Sequence, residues 1–144
     1  MKHLFPFLAL VTFALAFAAG GSHESTWVGH DAVATALSKG GTIASGDDYR
    51  VAGARRAKAG QVEVHDKETD IFYIIDGEAE FVTGGTMVGG KSTGNGQSLG
   101  TNIEGGETHH LSKGDVMVIP AGTPHWFKEV PQSINYYMVK VIKP

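Results

Sequence analysis

Glu63 and His65 stand two residues apart in the β-prone segment QVEVH of this 144-residue chain. Side chains alternate between the two faces of a β-strand, so residues two apart share a face. If QVEVH is a strand, a carboxylate and an imidazole project together and can offer two ligand atoms to one metal ion. Further along, Asp70 begins the apolar segment DIFYIID and His125 begins HWFKEV. As part of a strand, Asp70 would lie at the rim of an apolar interior.

The chain contains no cysteine, which excludes disulfides, thiolate metal ligands and cysteine nucleophiles. Any metal ion must therefore be bound by nitrogen and oxygen atoms. The formal net charge is -3, and the basic residues are scattered apart from the pair Arg55 and Arg56. This charge distribution argues against nucleic acid as a partner.

Residues 1–20 have the pattern of a cleaved secretory signal peptide. The segment begins with Lys2 and His3, continues with about fifteen mostly apolar residues and ends in small residues such as Ala16 and Ala18. A membrane anchor or a buried helix is the alternative, but the apolar run is shorter than the ~20 residues that span a bilayer. We therefore expect export to the periplasm or the exterior, with no membrane contact after cleavage.

The mature chain divides into an N-terminal arm, residues 21–47, and one domain, residues 48–144. In the arm, HDAVATALSKGG carries apolar residues at helical spacing before two glycines, which predicts one short helix. In the domain, β-prone segments alternate with Gly, Asp, Lys and Pro turn signals, a rhythm typical of a sandwich or barrel. These segments are YRVAGARRA, QVEVH, DIFYIID, EAEFVTGG, VMVIP, HWFKEV and INYYMVKVI.

Two connections between the strands have distinctive sequences. The pair Asp76 and Gly77 in IIDGEAEF predicts a tight two-residue hairpin turn. Residues 84–106 are polar and glycine-rich, and they are too long for an ordinary hairpin connection, which predicts an insertion. That insertion is either a solvated loop or a flap over the mouth of a pocket. Periodicity alone leaves an open meander, an immunoglobulin-like sandwich and a barrel as alternatives.

The segment GDVMVIPAGTPHWF has a distinctive order of residues, formed by Gly114, Pro120, Gly122 and His125. Gly114 turns the chain into the strand VMVIP, Pro120 closes that strand, and Gly122 permits a tight reversal before His125. The order Gly, five residues, Pro, one residue, Gly, two residues, His resembles the second motif of the cupin superfamily.

The first cupin motif has a counterpart in frame upstream. That motif reads His, one residue, His, four residues, Glu, six residues, Gly, and this chain has Glu63, His65, Asp70 and Gly77 at those positions. The spacing agrees throughout, but Glu63 stands where the family has its first histidine and Asp70 stands where it has glutamate. The resemblance covers residues 48–142 in architecture and carries a variant ligand set.

The resemblance implies an all-β fold with a single cupin-type β-barrel, also called a double-stranded β-helix or jelly roll, and one short N-terminal helix. It implies that Glu63, His65, Asp70 and His125 converge from three strands as metal ligands, with the remaining positions open to water or substrate. Such a set suits Mn, Fe, Ni, Co or Zn. Because Fe(II) is hard to maintain in an oxidising exported compartment, we expect Mn or Zn rather than Fe or Ni.

Three further ionisable residues are candidates for the same pocket. Glu68 lies in the charged turn DKETD, where solvent is the expected environment. His109 and His110 are adjacent, so in a strand they face opposite ways and cannot both enter a barrel. We expect both histidines at the surface or at a sheet edge.

The resemblance does not identify a reaction, because cupins include enzymes, binding modules and storage proteins. One hypothesis is a metal-dependent enzyme for a small oxygenated molecule, in which Glu63 or Asp70 serves as base if it does not bind the ion. A second is a non-enzymatic module that binds a sugar, an organic acid or the metal itself. A third is a metal-free structural barrel. Cupins commonly pair through sheet edges and outer faces, so the resemblance also implies a homodimer.

Overall fold

The computed structural model describes residues 24–144, and the predicted signal peptide, residues 1–20, lies outside the described residues. Within residues 24–144 the chain forms one α-helix and twelve antiparallel β-strands. The helix is α1 (His30–Lys39). The strands are β1 (Gly41–Ser45), β2 (Tyr49–Arg56), β3 (Val62–His65), β4 (Glu68–Thr83), β5 (Thr86–Val88), β6 (Lys91–Gly94), β7 (Gln97–Gly100), β8 (Asn102–Glu104), β9 (Glu107–Ser112), β10 (Val116–Ile119), β11 (His125–Glu129) and β12 (Ile134–Ile142).

Two sheets face each other and share the long strand β4. The first half of β4 lies between β10 and β12 in a sheet with the order β1-β2-β12-β4-β10. Its second half lies between β9 and β11 in a sheet with the order β9-β4-β11-β3-β7-β6. A small ribbon of β5 and β8 is attached outside these sheets. The expected all-β barrel with one short N-terminal helix is confirmed.

The predicted hairpin turn at Asp76 and Gly77 is wrong, because β4 continues through both residues. Opposite β12, Ile75 is an extra residue between two register pairs, which makes a β-bulge, and Gly77 follows with a positive φ of 82°. A β-carbon at Gly77 would collide with the backbone carbonyl of Ser133. The bulge and the glycine bend β4 so that it passes from one sheet to the other, as corner strands of sandwiches do.

The predicted helix is confirmed as α1, which ends at Gly40, where φ is 81°. The helix lies on the outer face of β2, where Gly53 leaves room for the backbone of Ala36. The arm also contributes β1, a strand that the sequence pattern did not predict. None of the helices within residues 24–144 is long and apolar enough to span a membrane.

The core lies between the two sheets and is rich in aromatic residues. The ring centroids of Phe81 and Phe127 lie 4.6 Å apart in an edge-to-face arrangement, and those of Phe72 and Tyr136 lie 4.7 Å apart. Such aromatic contacts add about 0.5–1.5 kcal/mol each beyond the burial of their area. The buried cluster comprises Phe72, Ile74, Ala79, Phe81, Leu111, Ile119, Phe127, Ile134 and Tyr136.

Residues 84–106 form strands, whereas the sequence predicted a solvated loop or a flap. Within this segment, β7 pairs with β3 and with β6, so it extends the second sheet. The tip of the β6–β7 hairpin, Gly94 to Gly96, has left-handed backbone conformations and borders a cavity between the sheets. The insertion thus contributes one wall of that cavity.

Candidate metal centre

A cavity of about 490 Å³ opens between the two sheets, and strands β2, β3, β4, β11 and β12 line it together with the β6–β7 hairpin. Phe72, Phe127 and Tyr136 from the core form its apolar floor. Arg50 and Lys67 lie among the residues that line it, and both are exposed. The cavity therefore combines an apolar floor with a cationic mouth.

Glu63, His65 and His125 meet inside this cavity. Strand β3 carries the first two, and Glu63 Oε2 lies 3.5 Å from His65 Nε2. Strand β11 pairs with β3 through the single register pair His125 and Glu63, which places the second histidine beside the first. Both histidines are buried, and their ring centroids are 5.2 Å apart. The three side chains can direct ligand atoms toward a single point.

Asp70 joins these residues from β4. Its Oδ2 atom lies 3.6 Å from His65 Nε2 and 3.8 Å from His125 Nε2. Asp70 is 2% exposed, so its carboxylate is removed from water. The structure thus brings together all four residues that the sequence selected.

The spacing of these atoms fits a divalent ion. Two ligand atoms that each lie about 2.1 Å from a tetrahedral ion are roughly 3.4 Å apart, and the measured separations are 3.5, 3.6 and 3.8 Å. His65 Nε2 is buried and has no hydrogen-bond partner among the described residues. An unsatisfied buried nitrogen costs free energy, and an ion at this point would satisfy it.

The hydrogen bond of His125 fixes which of its nitrogens faces the other ligands. Its Nδ1 lies 3.0 Å from the carbonyl oxygen of Thr123, which can only accept, so Nδ1 carries the proton. The lone pair is then on Nε2, which faces Asp70. Burial lowers the pKa of His125, against the opposing effects of the Thr123 carbonyl and of nearby carboxylates. The neutral imidazole that results is the form that binds metals.

Arg56 neutralises Glu63 from the opposite side. Its Nη2 atom donates a 2.9 Å hydrogen bond to Glu63 Oε1, and its guanidinium lies 4.8 Å from the centre of the Phe127 ring. Burial acts to raise the pKa of Glu63, but the contact with His65 and the charge of Arg56 outweigh it and lower that pKa to about 2. Glu63 is therefore ionised at any ordinary pH and is a weak base.

Lys140 forms a second ion pair within the site. Its Nζ atom lies 2.8 Å from Asp70 Oδ1 and 2.7 Å from Glu68 Oε2. The expectation that Glu68 sits in solvent is wrong, because Glu68 is partly buried, lines the cavity and lies beside His65, with Oε2 3.7 Å from Nδ1. The ion pair with the Lys140 ammonium explains this position, because it compensates the charge of the Glu68 carboxylate.

Sequence reasoning missed Arg56 and Lys140, although a signal for each was present. On β12, Ile134, Tyr136 and Met138 precede Lys140 at intervals of two, so the lysine continues an inward-facing row. A charged residue in such a row is expected to have a buried partner. Arg56 ends the corresponding row of β2, after two alanines.

His109 and His110 lie on β9, an edge strand outside the cavity, as expected. The side chain of His110 is 57% exposed, and His109 Nε2 is 2.9 Å from Thr83 Oγ1. Neither histidine contributes to the candidate metal centre.

Comparison with known proteins agrees with this architecture. Residues 51–141 match the family model described as Cupin, whereas no curated protein matches the chain. The cupin domain of Schizosaccharomyces pombe Cnp3 is similar in structure, with a TM-score of 0.52 and 12% identity over 72% of this chain and 59% of that domain. The chain therefore spans less than two thirds of the length of that relative.

A second similar structure is the BH2720 protein of Bacillus halodurans, with a TM-score of 0.51 and 14% identity over 72% of this chain and 69% of that one. At these identities the two structures establish the shared fold alone. The family match covers most of the chain and includes every residue that lines the cavity except Arg50 and Ile142. The chain belongs to the cupin family.

Proposed function

We propose that this protein is an exported cupin that holds one divalent ion, Mn or Zn, between Glu63, His65, Asp70 and His125. In this proposal the cavity binds a small oxygenated molecule, or acts on it, next to the ion. One observation carries the proposal. His65 Nε2 is buried without a hydrogen-bond partner among the described residues, and two carboxylate oxygens and a second imidazole surround it.

A bound ion would supply a Lewis acid that polarises a carbonyl or hydroxyl group of the ligand. The chain's own residues would bind and orient that ligand. The apolar floor of Phe72, Phe127 and Tyr136 excludes water from one side. Arg50 and Lys67 would attract a polar or anionic group at the mouth.

A non-enzymatic binding module is the second candidate, and the charge pairing of the carboxylates favours it. Glu63 has a pKa of about 2 and is paired with Arg56, so it is a poor proton acceptor. Asp70 is held by Lys140. Both residues that the sequence offered as a base are therefore held in ion pairs. Turnover of any of a panel of oxygenated small molecules by the metal-loaded protein would contradict the binding module.

Elemental analysis of the mature protein, refolded with a mixture of divalent ions, tests the metal centre. We expect close to one Mn or Zn per chain in the parent and its loss in His65→Ala and in His125→Ala, because each variant removes a buried nitrogen ligand. His110→Ala is the matched control, since that exposed histidine lies outside the cavity. A parent that folds and retains no ion would disprove the metal centre.

Expression of the full chain, residues 1–144, followed by cell fractionation tests export. We propose that the chain is directed to the periplasm or the exterior by residues 1–20, on the sequence pattern alone. Protein recovered from those fractions should begin after about residue 20 on N-terminal sequencing, as cleavage of such a signal requires. Full-length protein confined to the cytoplasm would contradict export and leave the metal centre unaffected.

A further inference from the structure

Lys140 lies on the acidic side of the candidate metal centre. Its Nζ atom contacts Asp70 Oδ1 at 2.8 Å and Glu68 Oε2 at 2.7 Å. Lys140 itself is only 9% exposed. The ammonium group thus stands where two carboxylates meet and is largely removed from water.

The same two carboxylates form a second set of possible cation ligands with His65. Ligand atoms of His65, Glu68 and Asp70 lie within 4.8 Å of one another. His65 is 8% exposed, and its Nε2 atom has no partner among residues 24–144. A buried unpartnered imidazole beside two carboxylates is a site for a cation, and a side chain of the protein already supplies one positive charge there.

We propose that Lys140 is an internal cation that competes with the divalent ion for Asp70 and Glu68 and so limits the affinity of the centre for metal. This inference rests on the proposed metal centre. Asp70 directs Oδ2 toward both histidines and gives Oδ1 to Lys140. A positive charge so close to a ligand repels an incoming divalent ion, because the interaction is poorly screened where water is excluded.

The charges of the site agree with this role. Glu63, Glu68 and Asp70 bring three negative charges, and Arg56 and Lys140 are paired with them. The barrel can therefore fold before any ion is present, since each of the three carboxylates contacts a cation. The cost of that compensation is a weaker attraction for a divalent ion, which makes the ion exchangeable.

Isothermal titration with Zn²⁺ and with Mn²⁺ tests the proposal on the purified mature chain, residues 21–144. Lys140→Met removes the charge and keeps an unbranched side chain of similar length. Lys140→Gln also removes the charge but retains an amide that can hydrogen-bond to the carboxylates, so folding does not depend on an apolar neighbour. Lys113→Met is the control, because Lys113 is exposed, lies outside the cavity and forms no ion pair among the described residues.

We expect both Lys140 variants to bind at least one of the two ions about tenfold more tightly than the parent, or more, and Lys113→Met to stay within about threefold. Lys140→Arg, which keeps the charge, should resemble the parent. Affinity in Lys140→Gln that equals or falls below that of the parent overturns the inference and leaves the metal centre standing. Ion binding by the variants and none by the parent supports the inference and contradicts the proposed function. No binding by any of them overturns both.

Discussion

The Nδ1 atom of His110 lies 2.8 Å from Glu80 Oε1 on the outer surface of the second sheet, and Glu78 Oε2 lies 3.5 Å from its other ring nitrogen. The hydrogen bond with Glu80 raises the pKa of His110 above 6.5, with further help from the charges of both glutamates. Because this contact is exposed, it contributes little to the free energy of unfolding of the barrel.

Titration of the His110 ring by NMR should therefore give a pKa above 6.5, and Glu80→Gln should lower it. A raised pKa in the folded state stabilises the fold below the unfolded pKa of 6.5, and this contribution disappears as the pH rises through the folded pKa. Glu80→Gln should thus destabilise the protein more at pH ~6 than at pH ~9. Glu104→Gln, on a different strand, is the control. An unchanged His110 pKa in Glu80→Gln would show that the pair does not persist in solution.

The four ligand candidates were predictable at the scale of single residues because a fixed spacing encodes each motif. The ion-pair partners of Arg56 and Lys140 were not, since the first lies on the facing sheet and the second on a neighbouring strand. Lys140 meets Asp70 across the β4–β12 pair, from 70 positions away in the chain. Sequence spacing carries no information on such a pairing until the order of strands in the sheet is known.

At the scale of elements, Gly77 is the point where β4 changes sheets. Gly77→Ala should lower the free energy of unfolding by about 2–4 kcal/mol, because it adds a collision with Ser133 to the strain of a positive φ. Chemical denaturation measures the change.

Gly84→Ala separates the two contributions. Gly84 also has a positive φ, of 74°, but no atom lies within 4 Å of the position its β-carbon would occupy. We expect a loss of only about 1 kcal/mol there, from backbone strain alone. Equal losses in the two variants would mean that the close approach to Ser133 has no energetic weight.

The helix was correctly predicted, and the seven β-prone segments all lie in strands because each has a strong local pattern, although DIFYIID and EAEFVTGG form the single strand β4. The turn at Asp76 and Gly77 was not, since the same pair of residues suits a hairpin and a bulge, and only pairing with β12 distinguishes them. Strands β5 to β9 escaped prediction because their mostly polar residues, several of them glycine, have little intrinsic preference for strands. Their pairing with each other, with β3 and with β4 holds them in place.

The whole molecule exposes an apolar face on its first sheet. The exposed residues there include Tyr73 at 50%, Val116 at 62%, Val118 at 55% and Val141 at 44%. Val116 lies directly opposite Tyr73 in the sheet register, so these side chains share one face. An apolar area on a sheet face is typical of an interaction site, and we propose that a second copy of the chain covers it in a homodimer.

Light scattering during size-exclusion chromatography tests the homodimer. The parent should elute with the mass of a dimer and Val118→Lys with that of a monomer, because a buried lysine without a partner disfavours the interface. Thr108→Lys places the same charge on an exposed position of the other sheet and should leave the dimer intact. A monomeric parent at high concentration would contradict the proposal.

Strand β4 belongs to both walls of the cavity, and this limits how the protein can accommodate a guest. The two sheets cannot swing apart freely, because β4 runs without a break through both and would have to bend further at Gly77. Selection among guests is therefore by shape against nearly fixed walls, with little loss of conformational entropy on binding. The β6–β7 hairpin, which is attached to the barrel along one side through β3, is the wall with the most freedom to adapt.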